Sequence, residues 1–385
     1  MEMKQVYELV NDTTKEVLGE EATLLKEDLT NVVDVGTEIF NANSVDKYVK
    51  SLVDHIGKVI FVNRPYSGGA PSVLMDGWQY GAVLEKIQSE MPEATENESW
   101  ELEDGVSYDV NVFTKPKASA KFFNKRTTFE IPLSFTERQV RGSFSNAEQV
   151  NGFLSMLMTG VENSATVKTD SLISRTINNF IGETFYDLNS AGTYTGAGNN
   201  RCINLLKRYN DTYSKTLTAE GSLYDPDFTR YAVYQMNLVR MRMRKLSTLY
   251  NIGGKPRFTA EDRLHFIALA DFIESANVFL QSATFHEEFT RLPKAEELPY
   301  WQGSGNSYAF SDTTAIKIVT AENHEVNPTG ILGVMFDRDA LGVCNIDRRV
   351  TTNYNAKAEF YNNWYKFDAG YFNDANENFV VFYVA

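Results

Sequence analysis

Strand-like patterns dominate the chain from Gly330 onward. Segments rich in Val, Ile, Phe, Tyr and Trp are separated there by Gly, Asn and Asp, which is typical of strands joined by turns. These segments begin at Gly330, Asn345, Phe360 and Asn378. They contain almost no nucleophile, metal ligand or phosphate-binding loop. The pattern favours a sheet that serves as a building block over one that carries an active site.

A helical period dominates the stretch Ser145–Ile181. Apolar residues recur there every three or four positions, close to one helical face. Ser145 with Glu148 three residues later fits a capping box. The pattern predicts an amphipathic helix of roughly 50 Å if it is unbroken. A helix that is kinked near Gly152 or Gly160 is the alternative.

Shorter elements follow this helix. Asp225 with Pro226 predicts a capped helix start, and the apolar spacing extends that helix to near Tyr250. The remaining predictions are a short helix at Cys202–Tyr209, a buried strand at Arg263–Leu269, a helix at Asp271–Gln281 and a structured loop at Leu292–Ser311.

The N-terminal part predicts an arm and a long hairpin. Residues 1–56 carry short, charged helical patterns with too few apolar positions to fold alone. Lys58–Val62 has the composition of a short buried strand. Val106–Phe113 and Ala120–Phe135 alternate as strands, and we expect them to pair.

Composition narrows the function classes. The 385 residues carry a net charge of −14, which argues against a stand-alone nucleic-acid binder. The 20 Tyr and 25 Phe suit either a core or a subunit interface. Cys202 and Cys344 give no disulfide framework or metal motif, and the sequence has no leader-like or membrane-spanning apolar run. We therefore expect use in the cytoplasm or in something assembled there.

The sequence patterns for a phosphate-binding loop, a calcium loop and a histidine metal site are all incomplete. Pro256 follows Lys255 where a phosphate loop needs Ser or Thr. Phe379 occupies the obligatory Gly position of the calcium-loop pattern that starts at Asp374, so we expect a hairpin turn there. The histidines, which lie at no metal-ligand spacing, are His55, His265, His286 and His324. We expect no catalytic, cofactor-binding or metal-binding residues.

A basic run closes the predicted helix after Pro226. Its members are Arg240, Arg242, Arg244 and Lys245. Cations at a helix C-terminus offset the helix dipole. Contact with confined nucleic acid or with an acidic neighbour is the alternative interpretation, and the sequence leaves both open.

Three segments carry a family resemblance. They are Ile56–Tyr66, the region from Phe279 to Gly305, and Gly333–Val343 with the strands that follow it. Together with the order of arm, hairpin, long helix and closing sheet, they resemble the major capsid proteins of tailed bacteriophages. The similarity is to phages of Gram-positive and gut bacteria. The resemblance implies the α+β Hong Kong 97-type fold.

The resemblance also implies a domain organisation. It predicts an N-terminal arm, an E-loop, a P-domain with a long spine helix, an A-domain, and C-terminal strands that complete the P- and A-domains. The corresponding boundaries are 1–57, 58–142, 143–222, 223–344 and 345–385.

The implied function is structural. Copies of the chain would form the hexamers and pentamers of an icosahedral head that encloses double-stranded DNA in the virion. Assembly would take place in the host cytoplasm with a separate scaffolding protein, a portal and, in some phages, decoration proteins. The packaged DNA would be contacted non-specifically, and neither a cofactor nor a membrane is implied.

The candidate assembly residues lie in and beside the hairpin. They are Lys115, Pro116, Lys117, Lys121 and Arg126. A long hairpin with a polar tip extends further than packing within one subunit requires, which favours a role in contacts between subunits.

Two other function classes stay open at this point. The first is an encapsulin-like nanocompartment shell, which shares the fold but encloses an enzyme. The second is an enzyme, supported only by isolated acid pairs such as Asp225/Asp227 and Asp337/Asp339.

Overall fold

The computed structural model describes most of the chain. The described residues are 3–19, 22–26, 30–41, 47–49, 51–52, 70–75, 84–89, 94, 96–97, 101–108, 111, 113, 115, 117–143, 147–281, 294–302, 309–320 and 323–385. The predicted strand Lys58–Val62 and the capping residue Ser145 lie outside them.

A mixed sheet forms the larger core. Its strands lie in the order β5 (Cys202–Asn204), β13 (Phe379–Tyr383), β10 (Ile331–Asp337), β6 (Leu264–Leu269) and β7 (Glu296–Leu298). Every residue of β10 and β13 is buried. Both faces of the sheet are therefore covered, which explains why these strands read as continuous apolar runs.

A second sheet has one face toward a helix and the other toward solvent. Its order is β1 (Leu74–Met75), β11 (Leu341–Asn355), β12 (Phe360–Asn373) and β4 (Arg126–Thr136). Burial along β4 and β12 alternates. The inward side chains of Phe135, Tyr361 and Tyr365 belong to a second hydrophobic core.

One long helix joins the two cores. Helix α4 (Ala147–Leu188) has 42 residues, about 63 Å at the α-helical rise. Val150 and Val161 in its first half belong to the second core, whereas Ile177 and Phe185 belong to the first. The predicted long helix is confirmed and extends beyond Ile181.

The N-terminal region packs on this helix. Helices α1 (Met3–Leu18) and α2 (Val32–Asn41) contribute Val10, Val35 and Ile39 to the second core. Helix α3 (Glu137–Ser143) follows β4 and adds Val140. The described part of the arm is thus held by its own subunit.

The remaining helices surround the larger sheet. They are α5 (Leu205–Tyr213), α6 (Ala219–Ser222), α7 (Pro226–Met243), α8 (Ala270–Gln281) and α9 (Phe310–Thr313). The short strands β8 (Ile318–Val319) and β9 (Glu325–Val326) pair with each other. The predicted helix Asp271–Gln281 and strand Arg263–Leu269 match α8 and β6 closely.

Helix α7 begins as predicted and ends early. The Asp225 carboxylate accepts a hydrogen bond of 2.8 Å from the Phe228 amide, which caps the helix. The helix ends at Met243, well before the predicted end near Tyr250, because the Met243 carbonyl accepts from the Thr259 amide at 2.8 Å.

The predicted hairpin partner was wrong. The described residues of Val106–Phe113 form no strand and are exposed, and Ala120–Phe135 is divided between two strands. The first, β3 (Ala118–Phe123), pairs with β2 (Leu84–Ser89), while β4 pairs with β12. Alternating burial fixes which face of a strand is buried, but it does not specify the partner strand.

Three local predictions also need correction. Cys202–Tyr209 is not a single helix, because Cys202–Asn204 is strand β5 and the Asn204 side chain caps α5 at the Lys207 amide. The segment from Asp374 to Asn378 forms a turn, but not a hairpin: it joins strands of two different sheets. The predicted loop Leu292–Ser311 contains β7.

Candidate assembly surface

The hairpin formed by β2 and β3 carries two lysines on one face. Lys86 and Lys121 stand opposite each other across its strands. Like charges directly opposite each other destabilise a strand pair. A compensating negative charge is therefore needed on that face of the hairpin.

Asp374 supplies this charge. Its side chain is 0% exposed, and its carboxylate accepts from Lys86 Nζ at 2.8 Å and from Lys121 Nζ at 2.9 Å. Burial opposes ionisation of Asp374, but the hydrogen bonds from the two lysines outweigh it, and its pKa is lowered. The carboxylate therefore stays charged at neutral pH.

Glu377 extends the network. It accepts from Lys86 Nζ at 2.8 Å, and Arg257 Nε lies 3.4 Å from the same carboxylate. Because both acids come from the turn between β12 and β13, this turn joins the hairpin to both sheets. We call Lys86, Lys121, Asp374 and Glu377 the hairpin anchor.

The turn itself is held by backbone packing. The Asp374 amide donates to the Ala340 carbonyl and the Gly253 amide to the Ala375 carbonyl, each at 2.7 Å. A Cβ atom on Gly253 would lie 2.0 Å from the Asn376 side-chain oxygen. A side chain at position 253 would therefore force the Asn376 side chain to move and would crowd the Ala375 carbonyl.

An apolar contact supports the anchor. Phe123 at the end of β3 is buried, and its ring centroid lies 5.1 Å from that of Phe372. Beside it, a crevice of about 600 Å³ separates the hairpin from helix α4. The anchor and this ring contact together hold the inner face of the hairpin on its own subunit.

The opposite face of the hairpin is exposed and carries two large apolar side chains beside Glu85. Ile87 is 70% exposed and Phe122 is 61% exposed. They share a face because Glu85 pairs with Phe122 and Ile87 with Ala120, while Lys86 and Lys121 lie on the other face. We call Ile87, Ala120 and Phe122 the outer face of the hairpin. Exposed apolar side chains on an anchored hairpin are suited to contact another protein surface.

The candidate residues from the sequence lie in different surroundings. Lys121 belongs to the anchor, Arg126 begins β4 and is exposed, and Lys115 and Lys117 are exposed in the segment before β3. Pro116 lies outside the described residues. A role in assembly stays a prediction for all of them.

Sequence reasoning missed the acidic half of the anchor. Asp374 falls within the calcium-loop pattern that fails at Phe379, and Lys86 lies in no recognised motif. The two residues are separated by 288 positions. The pairing carries no local signal, because only the register of β2 with β3 and the position of the turn bring the charges together.

Two kinds of site were sought among the described residues, a metal-binding cluster and a membrane-spanning helix. Within the part of the chain that the structure covers, no group of three or more His, Cys, Asp or Glu side chains could hold a metal ion. Among the helices described, none is both long and apolar enough to cross a bilayer.

Comparison with known families identifies the chain. The family described as "Phi29-like phage major capsid protein" matches residues 10–383. The chain belongs to this family. Its function is therefore structural: it forms the capsid of a tailed phage by self-assembly, and its location is the virion. The family match supports the phage shell over the nanocompartment shell.

Similarity to solved structures supports the fold. A chain in the structure of the head fiber and inner core protein gp22 of native bacteriophage P68 has a TM-score of 0.51 at 8% identity, over 83% of this chain and 85% of that chain. The capsid structure of Staphylococcus phage Andhra gives 0.48 at 9% identity, over 81% and 83%. The search of curated proteins found no match. The Hong Kong 97-type fold expected from the sequence is confirmed, and the host class stays a prediction.

Proposed function

We propose that the hairpin of this capsid protein is a rigid contact element between neighbouring subunits of hexamers and pentamers. The observation that supports this most directly is the arrangement of its two faces. The inner face is bound to its own subunit by the anchor, whereas Ile87 and Phe122 on the outer face are exposed. Burying these side chains against a neighbour would contribute about 25 cal/mol per Å² of apolar surface.

The subunit charge fits the proposed contact with DNA. A net charge of −14 limits adhesion to packaged double-stranded DNA, so the inner surface would confine the DNA without binding it in a sequence-specific way. The basic residues near the end of α7 are too few to reverse this balance over the whole subunit.

We further propose that assembly takes place in the host cytoplasm and uses a separate scaffolding protein and a portal, with decoration proteins in some cases. The support is the match to a phage major capsid protein family. We also propose that the chain has no enzymatic activity of its own, because the described polar clusters are ion pairs and caps with structural partners.

The test is assembly of the purified protein, alone and with the scaffolding protein of the same phage, followed by sedimentation and electron microscopy. We expect closed shells from the natural sequence. Ile87→Asp with Phe122→Ser should give a folded subunit that forms few or no shells. Val33→Asp is the matched control, because Val33 is an exposed β-branched residue on α2 outside the hairpin.

Normal shells from the Ile87/Phe122 variant would overturn the proposed role of the outer face. A cooperative thermal melt close to that of the natural protein is needed in both variants, because it separates loss of assembly from loss of folding.

A further inference from the structure

An apolar groove with acidic borders lies at the N-terminal end of helix α7. Its volume is about 700 Å³, and its lining includes Tyr224, which is 80% exposed, and Val278, which is 60% exposed. The Ser275 hydroxyl donates to the Leu223 carbonyl and thereby fixes α8 beside the turn before α7. These residues form a stable concave surface.

The charges around this groove have one sign. Its lining contains the carboxylates of Glu220, Asp271 and Glu274, and the described lining residues include no Lys, Arg or His. All three acids are exposed. We call Glu220, Tyr224, Asp271, Glu274 and Val278 the acidic groove.

A surface of opposite charge lies at the other end of the same helix. The exposed apolar side chains of Met241, Leu246 and Phe258 stand among basic residues there. These basic residues are Arg240, Arg242, Arg244 and Lys245. We call the apolar and basic residues of this region the basic patch.

Local pairing holds the basic patch together. The Ser247 amide donates to the Arg257 carbonyl at 2.9 Å, and the Arg257 amide donates back at 3.0 Å. This exchange places Phe258 next to the segment after α7. Glu261 lies 3.4 Å from Arg240 and 3.3 Å from Arg244, so one carboxylate is shared between two of the guanidinium groups. With four basic side chains and one carboxylate, the basic patch keeps a net positive charge.

The two surfaces cannot neutralise each other within one subunit. Helix α7 has 18 residues, which separates its ends by about 27 Å. The Debye length at physiological salt is about 8 Å, so exposed charges at that separation are largely screened from each other. Direct contact is available only between different copies of the chain.

We propose that the acidic groove of one subunit binds the basic patch of the next subunit within a capsid ring. Each surface combines apolar area with charge, and the charges are complementary. A contact between two different surfaces of identical subunits is heterologous, and such contacts close into rings when the rotation permits. This inference rests on the proposed function, because it presumes that the chain forms hexamers and pentamers.

Charge reversal tests the pairing. Glu220→Lys with Glu274→Lys should raise the protein concentration needed for assembly by about tenfold or more, and Arg244→Glu with Lys245→Glu should do the same. Arg242 is left in place because its positive charge favours ionisation of the buried Tyr250 side chain and so acts within its own subunit. All four substitutions in one chain should restore assembly. Lys215→Glu with Lys317→Glu, two exposed positions elsewhere, is the matched control and should assemble normally.

Mixing the two reversed variants gives a sharper outcome. The Lys-substituted groove of one variant complements the Glu-substituted patch of the other, so the two must alternate around a ring. Alternation closes in a ring of six but not in a ring of five. We therefore expect the equimolar mixture to recover hexamers without recovering closed shells, as judged by native mass spectrometry and electron microscopy.

Disulfide trapping tests the same contact directly, without relying on a variant that loses assembly. Val278→Cys with Leu246→Cys in one chain should give covalent ladders between subunits under mild oxidation, and each single variant should not. The native Cys202 and Cys344 are both buried and should not interfere. Disulfides form only when the Cα atoms come within about 7 Å.

Two outcomes separate this inference from the proposed function. Shells from the natural sequence, together with normal assembly of both reversed variants and no disulfide ladders, would overturn the groove–patch contact alone. Failure of the natural sequence to form any ring or shell, with or without its scaffolding protein, would overturn the proposed function as well.

Discussion

Lys121 Nζ lies 2.9 Å from the carboxylate of Asp374, a residue 253 positions later in the chain. The contact joins the hairpin to the turn between the two sheets. Lys86 approaches the same carboxylate from the opposite strand at 2.8 Å. One fully buried acid thus sets the position of the hairpin relative to the body of the subunit.

Removing both lysines should weaken the hairpin more than the rest of the subunit. Lys86→Ala with Lys121→Ala leaves Asp374 charged and buried, at a cost of about 3 kcal/mol, the low end for such pairs because both lysines are partly exposed. Hydrogen exchange should become faster in β2 and β3. Lys366→Ala, which removes an exposed ion pair with Glu130, should cost less than about 1 kcal/mol. Equal protection of β2 and β3 in the natural and double-variant proteins would contradict the anchor.

Acid should release the hairpin before it unfolds the cores. The pKa of Asp374 is lowered in the folded state, so its stabilising effect is complete above the unfolded-state value of about 3.9 and is lost as the pH falls through the folded-state value. Denaturant unfolding at pH 7 and at pH 3 should show the natural protein losing more stability than Asp374→Asn. Parallel losses in the two proteins would mean that Asp374 is not the titrating group.

Truncation after Asn373 should abolish folding and not assembly alone. It removes β13, which lies between β5 and β10 in the larger sheet and is entirely buried. Losing several buried aromatic residues, at roughly 3–5 kcal/mol each, exceeds the ~5–15 kcal/mol that stabilises a domain. The measurement is soluble expression followed by a thermal melt. Removal of Ala385 alone, which is exposed, should leave a cooperative melt.

Deleting Lys115–Ser119 should weaken assembly while the subunit stays folded. The deletion removes Ala118 and Ser119 from β3, where they pair with Ser89 and Gln88. The outer face should then lose its fixed geometry without loss of either core. Deleting residues 102–106, a segment of equal length outside the strands, is the control. Normal shells from the first deletion, by sedimentation and microscopy, would contradict this role of the hairpin.

Elements with local signals were predictable from the sequence. The start of α7 follows from Asp225 and Pro226, because an N-cap and a proline at the first helical position act within four residues. Helix α4 follows from its apolar period. The end of α7 was not predictable, because it depends on the contact of Met243 with Thr259, a loop residue that no helical pattern indicates.

The sequence by itself indicated the family through its resemblance to phage capsid proteins. It also determined the long helix and the strand character of the C-terminal region, because periodicity, capping and turn residues act over short distances. Only the tertiary structure decided which strands pair, and with them the position of every charge in the anchor. Val106–Phe113 was a plausible partner for the second strand, yet Leu84–Ser89 pairs with Ala118–Phe123. That choice depends on burial and charge pairing across hundreds of residues, notably Lys86 with Asp374, which no window of sequence contains.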